Sequence, residues 1–459
     1  MSDTLMISVS GMRGHVGTDL TPELVARHAA ALGAWVRSAA PEGGGRPAVV
    51  LGRDARTSGP MFARAASAGL MSVGVDVVEV GVVPTPTVQL AVEHHHAGAG
   101  LILTASHNPI EWNALKFVGP DGIFLDAAAG ERVRALADQG PPRAGWDGLG
   151  EVREDREAVE RHLAAILRLP VIDVTAIRAR HFHVALDCVR GAGAVAMLPL
   201  LERLGCRVSG INLEPDGRFP RPPEPVPENL ADLGRLVRET GADLGLAVDP
   251  DVDRLAIVDG SGRPIGEDYT LAFAVRAVLD GRSTPEKPPT VVVNLSTSLV
   301  VEDAARAVGA TVLRAPVGEA NVARAIRDRG AAIGGEGNGG VMYPALHIGR
   351  DAPLGVALIL HLLATSGVTV AGLVEGSPRY TIVKAKGPRS SQLGPLYQRL
   401  RKRFADAEAD DRDGLRLSWA DRWLHVRPSG TEPIVRLIAE APTPSEAEAL
   451  VAAGRELLQ

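Results

Sequence analysis

Residues 102–116, ILTASHNPIEWNALK, put Ser106 and His107 at the exit of an apolar run, with Lys116 ten residues beyond the serine. A hydroxyl at the end of a buried strand meets backbone N–H groups and nearby cations. Those surroundings suit a serine that carries phosphate better than one that hydrolyses an ester. Pro109 opens the segment that follows. Lysine is rare background here, confined to Lys116, Lys287, Lys384, Lys386 and Lys402, so its placement beside the Ser-His loop is informative.

A second loop, DPDVDR, spaces Asp249, Asp251 and Asp253 at alternate positions and ends on Arg254. Alternate side chains of a loop can converge on one ion, and three carboxylates form a hard oxygen set suited to Mg²⁺. A calcium-binding EF-hand is excluded, because Arg254 stands where that loop needs glycine and Gly260 where it needs glutamate. A third loop, RPSGTEP, groups Arg427, Ser429, Gly430 and Thr431, with Arg436 beyond. Its donors, and a glycine that admits close backbone approach, make a phosphate cradle. In GEGNGG, glycines flank Glu336 and Asn338 and are expected to expose them, so that acceptor and donor can grip vicinal sugar hydroxyls. SGMRG places Arg13 in a glycine-flanked loop, where it can help neutralise a transferring phosphoryl group. His94, His95 and His96 read as a solvated helix end rather than a metal site.

The elements that must hold these loops repeat. Apolar strands are expected at 48–52, 75–81 and 99–103, then at 183–187, 206–211 and 244–248, then at 291–295, 311–315 and 331–334, with helical patterns between them. Such alternation indicates three consecutive doubly wound α/β modules. The last strand of each module feeds TASHNP, DPDVDR or GEGNGG. Open α/β sheets bind ligands at the carboxyl ends of their strands, so three modules can aim three loops at one central cleft. After about residue 370 the pattern changes to antiparallel strands at 415–419, 423–427 and 435–440 and a closing helix at 443–458, a smaller α+β domain. Gly/Pro-rich stretches divide the chain into 1–150, 151–259, 260–370 and 371–459.

Bulk composition narrows the partners. A chain of 459 residues exceeds one core and suggests about three to four domains. Aromatics at 3% leave little for stacking bases, and a net charge of −6 offers no general attraction to a polyanion; nucleic acid is not expected. No apolar run nears the roughly 20 residues that span a bilayer, and the N-terminus lacks a secretory pattern. Cys188 and Cys206 have no metal-ligand spacing and read as reduced thiols of a cytoplasmic protein, a monomer or homodimer.

TASHNP, DPDVDR, GEGNGG and RPSGTEP, in that order and with SGMRG before them, resemble the α-D-phosphohexomutases over essentially the whole chain. The form GGEGNGGVMYP…GRDA is similar to the phosphoglucosamine mutase branch, alongside phosphoglucomutase/phosphomannomutase relatives. The resemblance implies a heart-shaped fold of three α/β modules and a TATA-binding-protein-like domain. It implies interconversion of hexose 6- and 1-phosphates through a 1,6-bisphosphate, which also serves as activator. By motif, Ser106 would carry the phosphoryl group, and Asp249, Asp251 and Asp253, with a phosphate oxygen on Ser106, would ligate Mg²⁺. Arg13, His107, Lys116 and Arg254 would surround the transferring group. Glu336 and Asn338 would choose the sugar, and Arg427, Ser429, Gly430, Thr431 and Arg436 would hold the non-reacting phosphate.

Two family histidines are missing. Many relatives carry GE-x-SGH; here Asn338 replaces the serine and Gly340 stands at the histidine. A T-G-H loop is replaced by Val317-Gly318-Glu319, which brings Glu319 to the sugar side. Proton-transfer roles then pass to Lys116 or Glu319, with His347 a more distant candidate. Three rivals have less support. A serine hydrolase lacks its G-x-S-x-G elbow. A non-catalytic sugar-phosphate sensor has no reason to retain Ser106, Lys116 and all three aspartates. A metal-dependent glycosyltransferase explains only the D-x-D spacing.

Overall fold

The computed structural model describes residues 5–8, 11–41, 45–281, 288–388, 393–429 and 434–458. Along the first module's strands, alternate residues face opposite layers. Val49, Leu51, Leu101 and Leu103 share a core with Leu32, Phe62 and Leu70 of helices Pro22–Ala39 and Gly59–Met71. Val50 and Ile102 point the other way, onto Val88 and Val92 of helix Thr85–His94. Helices on both faces make the sheet doubly wound. Its described strands run in the order Met6–Ser8, Gly11–His15, Trp112–Val118, Ala99–Leu103, Ala48–Arg53, Asp76–Val82, Val152–Glu154.

The next two modules follow the same rule. Val184 and Leu186 join Met197 and Leu200 on one face, while Ala185 meets Leu233 and Val237 on the other. Val291 and Val293 join Phe273, and Val292 meets Val322 and Ile326. Each sheet has four described strands, the last of them antiparallel: Leu255–Asp259 in the second module and Gly340–Met342 in the third. Helix Ala352–Ser366 is buried on all sides over its first three turns and merges these two modules into one apolar core. Asp351 caps its N-terminus through the Leu354 N–H, and Gly367 ends it in the left-handed region.

The C-terminal domain is a separate unit with its own core of Leu396, Leu424, Leu437 and Leu450. Its antiparallel strands run in the order Thr381–Pro388, Ile434–Ala441, Trp423–Pro428, Leu415–Ser418, Glu408–Asp410, backed by helices Leu393–Arg403 and Pro444–Leu458. It touches the third module through polar groups. His425 Nδ1 meets Ser296 Oγ at 2.8 Å, and Glu440 accepts from the Leu299 N–H at 2.8 Å and from Ser298 Oγ.

Strands form where apolar periodicity places them, with ends shifted by a residue or two. The largest shift matters. The strand expected at 331–334 is Ile333–Glu336, and it pairs back on Gly340–Met342 with Glu336 opposite Gly340. GEGNGG is therefore a tight hairpin rather than an open loop. His95 departs from the solvated reading, since its Nε2 lies 2.7 Å from Asp155. Both cysteines are free thiols, and no described helix is long and apolar enough to cross a membrane.

Candidate active site

The segment after Pro109 is a strand, Trp112–Val118, that returns antiparallel beside Ala99–Leu103 and pairs Lys116 with Ile102. Ser106 thus sits in the connection between two neighbouring strands, with Lys116 beside it. The loop is held by a side chain that sequence reasoning passed over. Arg56 is fully buried, and its five N–H groups meet five acceptors: Asp54 Oδ2 and the carbonyls of Ser106, Asn108, Pro109 and Trp112, at 2.6–3.0 Å. Thr104 anchors the same loop, donating to Asp54 Oδ2 at 2.6 Å and accepting the Ser106 N–H at 2.9 Å. Ser106 itself has φ +48°, a left-handed conformation that costs a non-glycine residue about 1–2 kcal/mol. Its hydroxyl donates to Asp249 Oδ2 at 2.8 Å.

Asp249, Asp251 and Asp253 converge, each offering a carboxylate oxygen within 4.8 Å of the others, and all three are buried. The turn between them rests on Val252 at φ +61°, strained for a β-branched residue. Burial and the two neighbouring carboxylates push the Asp249 carboxyl well above its usual range. Burial would raise Asp251 too, but the Lys116 ammonium at 2.7 Å and the Thr85 hydroxyl at 2.9 Å hold it well below. The Oδ1 atoms of Asp251 and Asp253 are buried without a hydrogen-bond partner. Orphaned, converging carboxylate oxygens are the donor set of a hard divalent cation, so these residues fit Mg²⁺.

A cleft of about 380 Å³ opens over this centre, lined by Arg13, Ser106, His107, Lys116, Arg254, Glu319 and Arg350 among others. Arg13 donates to Asn108 Oδ1 at 2.5 Å; burial lowers its pKa to about 10, so it stays charged at neutral pH. Burial, then the charges of Arg254 and Arg13, drive His107 well below the usual imidazole value and keep it neutral. Burial opposes the charge of Lys116, yet Asp251, Asp253 and Glu319 raise its pKa overall. Lys116 is a fixed ammonium. Arg254 pairs with Glu224 at 3.2 Å.

Glu336 and Asn338 behave differently from expectation. The glycines around them do not bare them to solvent; they let neighbouring chain approach. A Cβ on Gly339, at φ +87°, would lie 2.3 Å from the Leu255 carbonyl oxygen. Glu336 is only 4% exposed and accepts from Asn294 Nδ2 at 2.9 Å, the Gly318 N–H at 3.1 Å and Arg350 at 3.0 Å. Asn338 is half-buried, its Nδ2 3.5 Å from Glu336. Glu319, at the start of helix Glu319–Arg329, is also tied to Arg350. His347 is far from this role: it lies buried against Asp351 at 3.0 Å and is absent from the cleft lining.

On the C-terminal domain, Arg427 and Arg436 stand directly opposite each other on paired strands, and Arg436 stands opposite Lys386 on the next. Like charges in register repel. The three cations make a basic row, in which Arg427 is balanced by Asp413 at 2.9 Å. Asp413 Oδ2 accepts from Arg427 Nε at 2.9 Å and from the Val317 N–H at 3.0 Å, joining this row to the loop that carries Glu319. Ser429 is buried, its N–H on the Ile434 carbonyl; Gly430 and Thr431 lie outside the described residues.

The structure thus gathers Ser106, the aspartate trio, Arg13, His107, Lys116, Arg254 and Glu319 at one centre. Arg427 connects to the loop that carries Glu319 through Asp413, and neither it nor Arg436 lines the cleft. Arg56 and Arg350, which hold the loops of this centre together, are the side chains missed from sequence. Each had a local signal: Asp54-x-Arg56 closes a buried strand, and Arg350 belongs to the GRDA segment.

Models of the phosphoglucomutase/phosphomannomutase domains match in order: alpha/beta/alpha domain I over residues 5–143, domain II over 160–262, domain III over 266–380 and the C-terminal domain over 385–457. A probable phosphoglucosamine mutase of Methanopyrus kandleri is 39% identical over 445 residues, 96% of this chain and 95% of that protein. A phosphoglucomutase/phosphomannomutase of Thermococcus kodakarensis is 37% identical over 455 residues, covering 98% and 97%. Among solved structures, a phosphoglucomutase/phosphomannomutase family protein of Burkholderia thailandensis superposes with a TM-score of 0.84 at 26% identity, covering 99% and 98%.

Proposed function

We propose a substrate and a catalytic cycle from one premise: the chain belongs to the phosphoglucomutase/phosphomannomutase family and is a phosphohexomutase, an isomerase. The substrate is a hexose monophosphate, with glucosamine phosphate the best fit. The observation that carries the cycle is Ser106 Oγ lying 2.8 Å from Asp249 in the cleft shared by Arg13, His107, Lys116 and Arg254.

Phosphoryl transfer asks the protein for positioning and charge neutralisation more than for covalent chemistry. Ser106 carries the phosphoryl group, and the free hydroxyl of the hexose monophosphate attacks phosphorus as the bond to Oγ breaks. Arg13, Lys116 and Arg254 neutralise the equatorial oxygens, and neutral His107 orients the group without adding charge. Glu319, a carboxylate in the cleft wall with a pKa raised by burial, accepts the hydroxyl proton. Lys116, held as an ammonium, gives a proton to Ser106 Oγ as that bond breaks and recovers it when the phosphate returns. Asp249, Asp251 and Asp253 would hold Mg²⁺ together with a phosphate oxygen on Ser106; the ion supplies the positive charge that lets a phosphoserine sit beside three carboxylates. The resulting 1,6-bisphosphate turns over, and its other phosphate returns to Ser106 with the same bonds reversed. The cation row at Arg427 and Arg436, with Ser429, Gly430 and Thr431, holds the phosphate that is not reacting, in both orientations. A domain with its own core and a polar contact to its neighbour suits the swing this requires.

Two features support an amino sugar. The most similar relatives named above include a probable phosphoglucosamine mutase, and Glu319 and Asp126 line the cleft as partners for a 2-ammonium group. Glucose or mannose phosphate is the second reading, favoured by the Thermococcus kodakarensis relative's name. After phosphorylation of the enzyme, turnover of glucosamine, glucose and mannose 6-phosphates is measured in parallel. The amino sugar should show the highest kcat/KM; a clear preference for either neutral sugar would replace the first reading with the second.

Two variants test the parts. Asp251→Asn is expected to weaken Mg²⁺ binding by about tenfold or more, read by titration calorimetry, with activity falling alongside. Turnover indifferent to Mg²⁺ in the parent enzyme would rule the clamp out. Arg427→Ala removes a charge-assisted contact to phosphate, so KM should rise about ten- to a hundredfold, with kcat changing less. A fall in kcat at constant KM would place Arg427 elsewhere in the cycle.

A further inference from the structure

Arg350 lies where three loops meet. Its Nε donates to Glu319 Oε2 at 3.1 Å, NH1 to Glu336 Oε2 at 3.0 Å, and NH2 to Asp253 Oδ2 at 2.6 Å. Its backbone N–H also donates to Glu319 Oε1 at 3.2 Å. One planar cation therefore fixes a carboxylate from the aspartate loop, one from the hairpin and one from the start of helix Glu319–Arg329. Lysine, with a point charge on a flexible stem, cannot reproduce that fork. The side chain also explains Gly340: a Cβ there would fall 2.2 Å from Arg350 Cδ and 2.7 Å from its Cγ. Any larger residue at 340 must displace the guanidinium.

We propose that Arg350 is a positioning residue, which locks the cleft carboxylate Glu319 and the buried hairpin carboxylate Glu336 in register with the metal-holding Asp253, and that Gly340 is glycine to leave it room. The inference rests on the reading that Glu319 meets the sugar, with Glu336 buried on the same guanidinium. It goes further by coupling the sugar wall to the phosphoryl-transfer centre through one side chain that itself lines the cleft. The three carboxylates carry more negative charge than Arg350 cancels. Part of the Asp253 charge is thereby committed to Arg350, through Oδ2, while Oδ1 has no hydrogen-bond partner and only the Arg254 guanidinium at 3.8 Å. Removing Arg350 frees that charge for a cation but unlocks Glu319 and Glu336. Affinity for Mg²⁺ and efficiency on the sugar should then move in opposite directions, which loss of structure would not produce.

Four variants make the test: Arg350→Lys, Arg350→Met, Gly340→Ala, and Gly340→Ala combined with Arg350→Met. Steady-state kinetics on hexose 6-phosphates is read beside Mg²⁺ titration calorimetry on the same samples. Arg350→Lys and Gly340→Ala should each lower kcat/KM by about a hundredfold, the scale of a reacting group displaced by an ångström. The double variant should be no worse than Arg350→Met, because both changes remove one contact set. Arg350→Met should bind Mg²⁺ at least about threefold tighter, since a competing positive charge is gone. Should Arg350→Met fail to fold, Gly340→Ala keeps the net charge and reports the same displacement. A folded Gly340→Ala enzyme with kcat/KM within twofold of the parent would overturn the proposal, as would weaker binding of both Mg²⁺ and sugar phosphate across the series. Glu319→Gln separates the premise. If it leaves kcat/KM unchanged, the sugar-wall reading fails; if it lowers it while Gly340→Ala does not, only the role of Arg350 fails.

Discussion

Replacing Ser106 with alanine is expected to lower isomerase turnover by at least about 10⁴-fold, while binding of hexose phosphate stays within a fewfold of the parent. The substitution deletes one oxygen. The loop's backbone is held by Arg56 and Thr104, neither of which bonds the Ser106 hydroxyl, so its geometry survives. Asp249 loses the donor on Oδ2 but keeps the Asp253 and Arg254 N–H groups on Oδ1, both at 3.2 Å. The enzyme should therefore remain folded and bind substrate through Arg427 and Arg436, yet have no atom on which to park a phosphate between half-reactions. Mass spectrometry after incubation with a hexose 1,6-bisphosphate should find one phosphate on the parent and none on the variant. A variant that still interconverts the monophosphates would remove Ser106 from the mechanism. An unphosphorylated parent that binds sugar phosphate and never isomerises it would fit the sensor reading instead.

Much of this was legible in the sequence because the chemistry sits in short loops at strand ends. Apolar runs located parallel strands in each α/β module, and the open-sheet rule aimed their loops at one cleft. They missed Gly11–His15, which puts Arg13 in a strand rather than a loop, as well as Trp112–Val118 and Leu255–Asp259. Asp249, Asp251 and Asp253 converge because a five-residue span through a turn cannot separate them far. What stayed hidden depends on contacts across modules. Glu336 looked exposed because its neighbours are glycines, and a glycine reads the same whether it opens a surface or admits another backbone. Only the folded chain shows Leu255 and Arg350 filling those spaces. Arg350 is close to Glu336 in sequence but reaches Asp253, 97 positions earlier. Arg56 likewise grips carbonyls 50 to 56 positions away. Backbone carbonyls leave no trace in residue identity, so a buried arginine that serves them resembles any surface arginine on paper. The fusion of the second and third modules was partly readable, since a helix that is apolar on every side needs burial on every side. Which two modules enclose it was not.

A large effect is also expected at Arg56, because every donor it has is in use. A guanidinium has five N–H groups, and each finds an acceptor here: one carboxylate oxygen and four main-chain carbonyls. The cation also lies 5.0 Å from the ring centre of Phe219, which belongs to the second module. Arg56→Met would leave Asp54 as a buried carboxylate stripped of its ion pair and take one donor from each of four carbonyls, of which Pro109 keeps another, the Trp112 N–H. Breaking one side of a buried pair costs about 3–5 kcal/mol, a large share of the stability of an ordinary domain. Arg56→Lys keeps the charge but offers three donors for five acceptors, so it should fold with a smaller loss and a loosened serine loop. In that variant, amides of residues 105–112 should exchange with solvent at least tenfold faster, while strand Ala48–Arg53 keeps its protection. Turnover should fall by about a hundredfold, because the nucleophile is no longer held in its strained conformation. The pattern separates a latch from a generic core residue: a generic core residue would raise exchange throughout the first module and leave the turnover of the folded fraction unchanged. If Arg56→Lys exchanges and turns over like the parent, the carbonyl cage does not hold Ser106 in place, and the loop must take its shape from Thr104 and Asp54 alone.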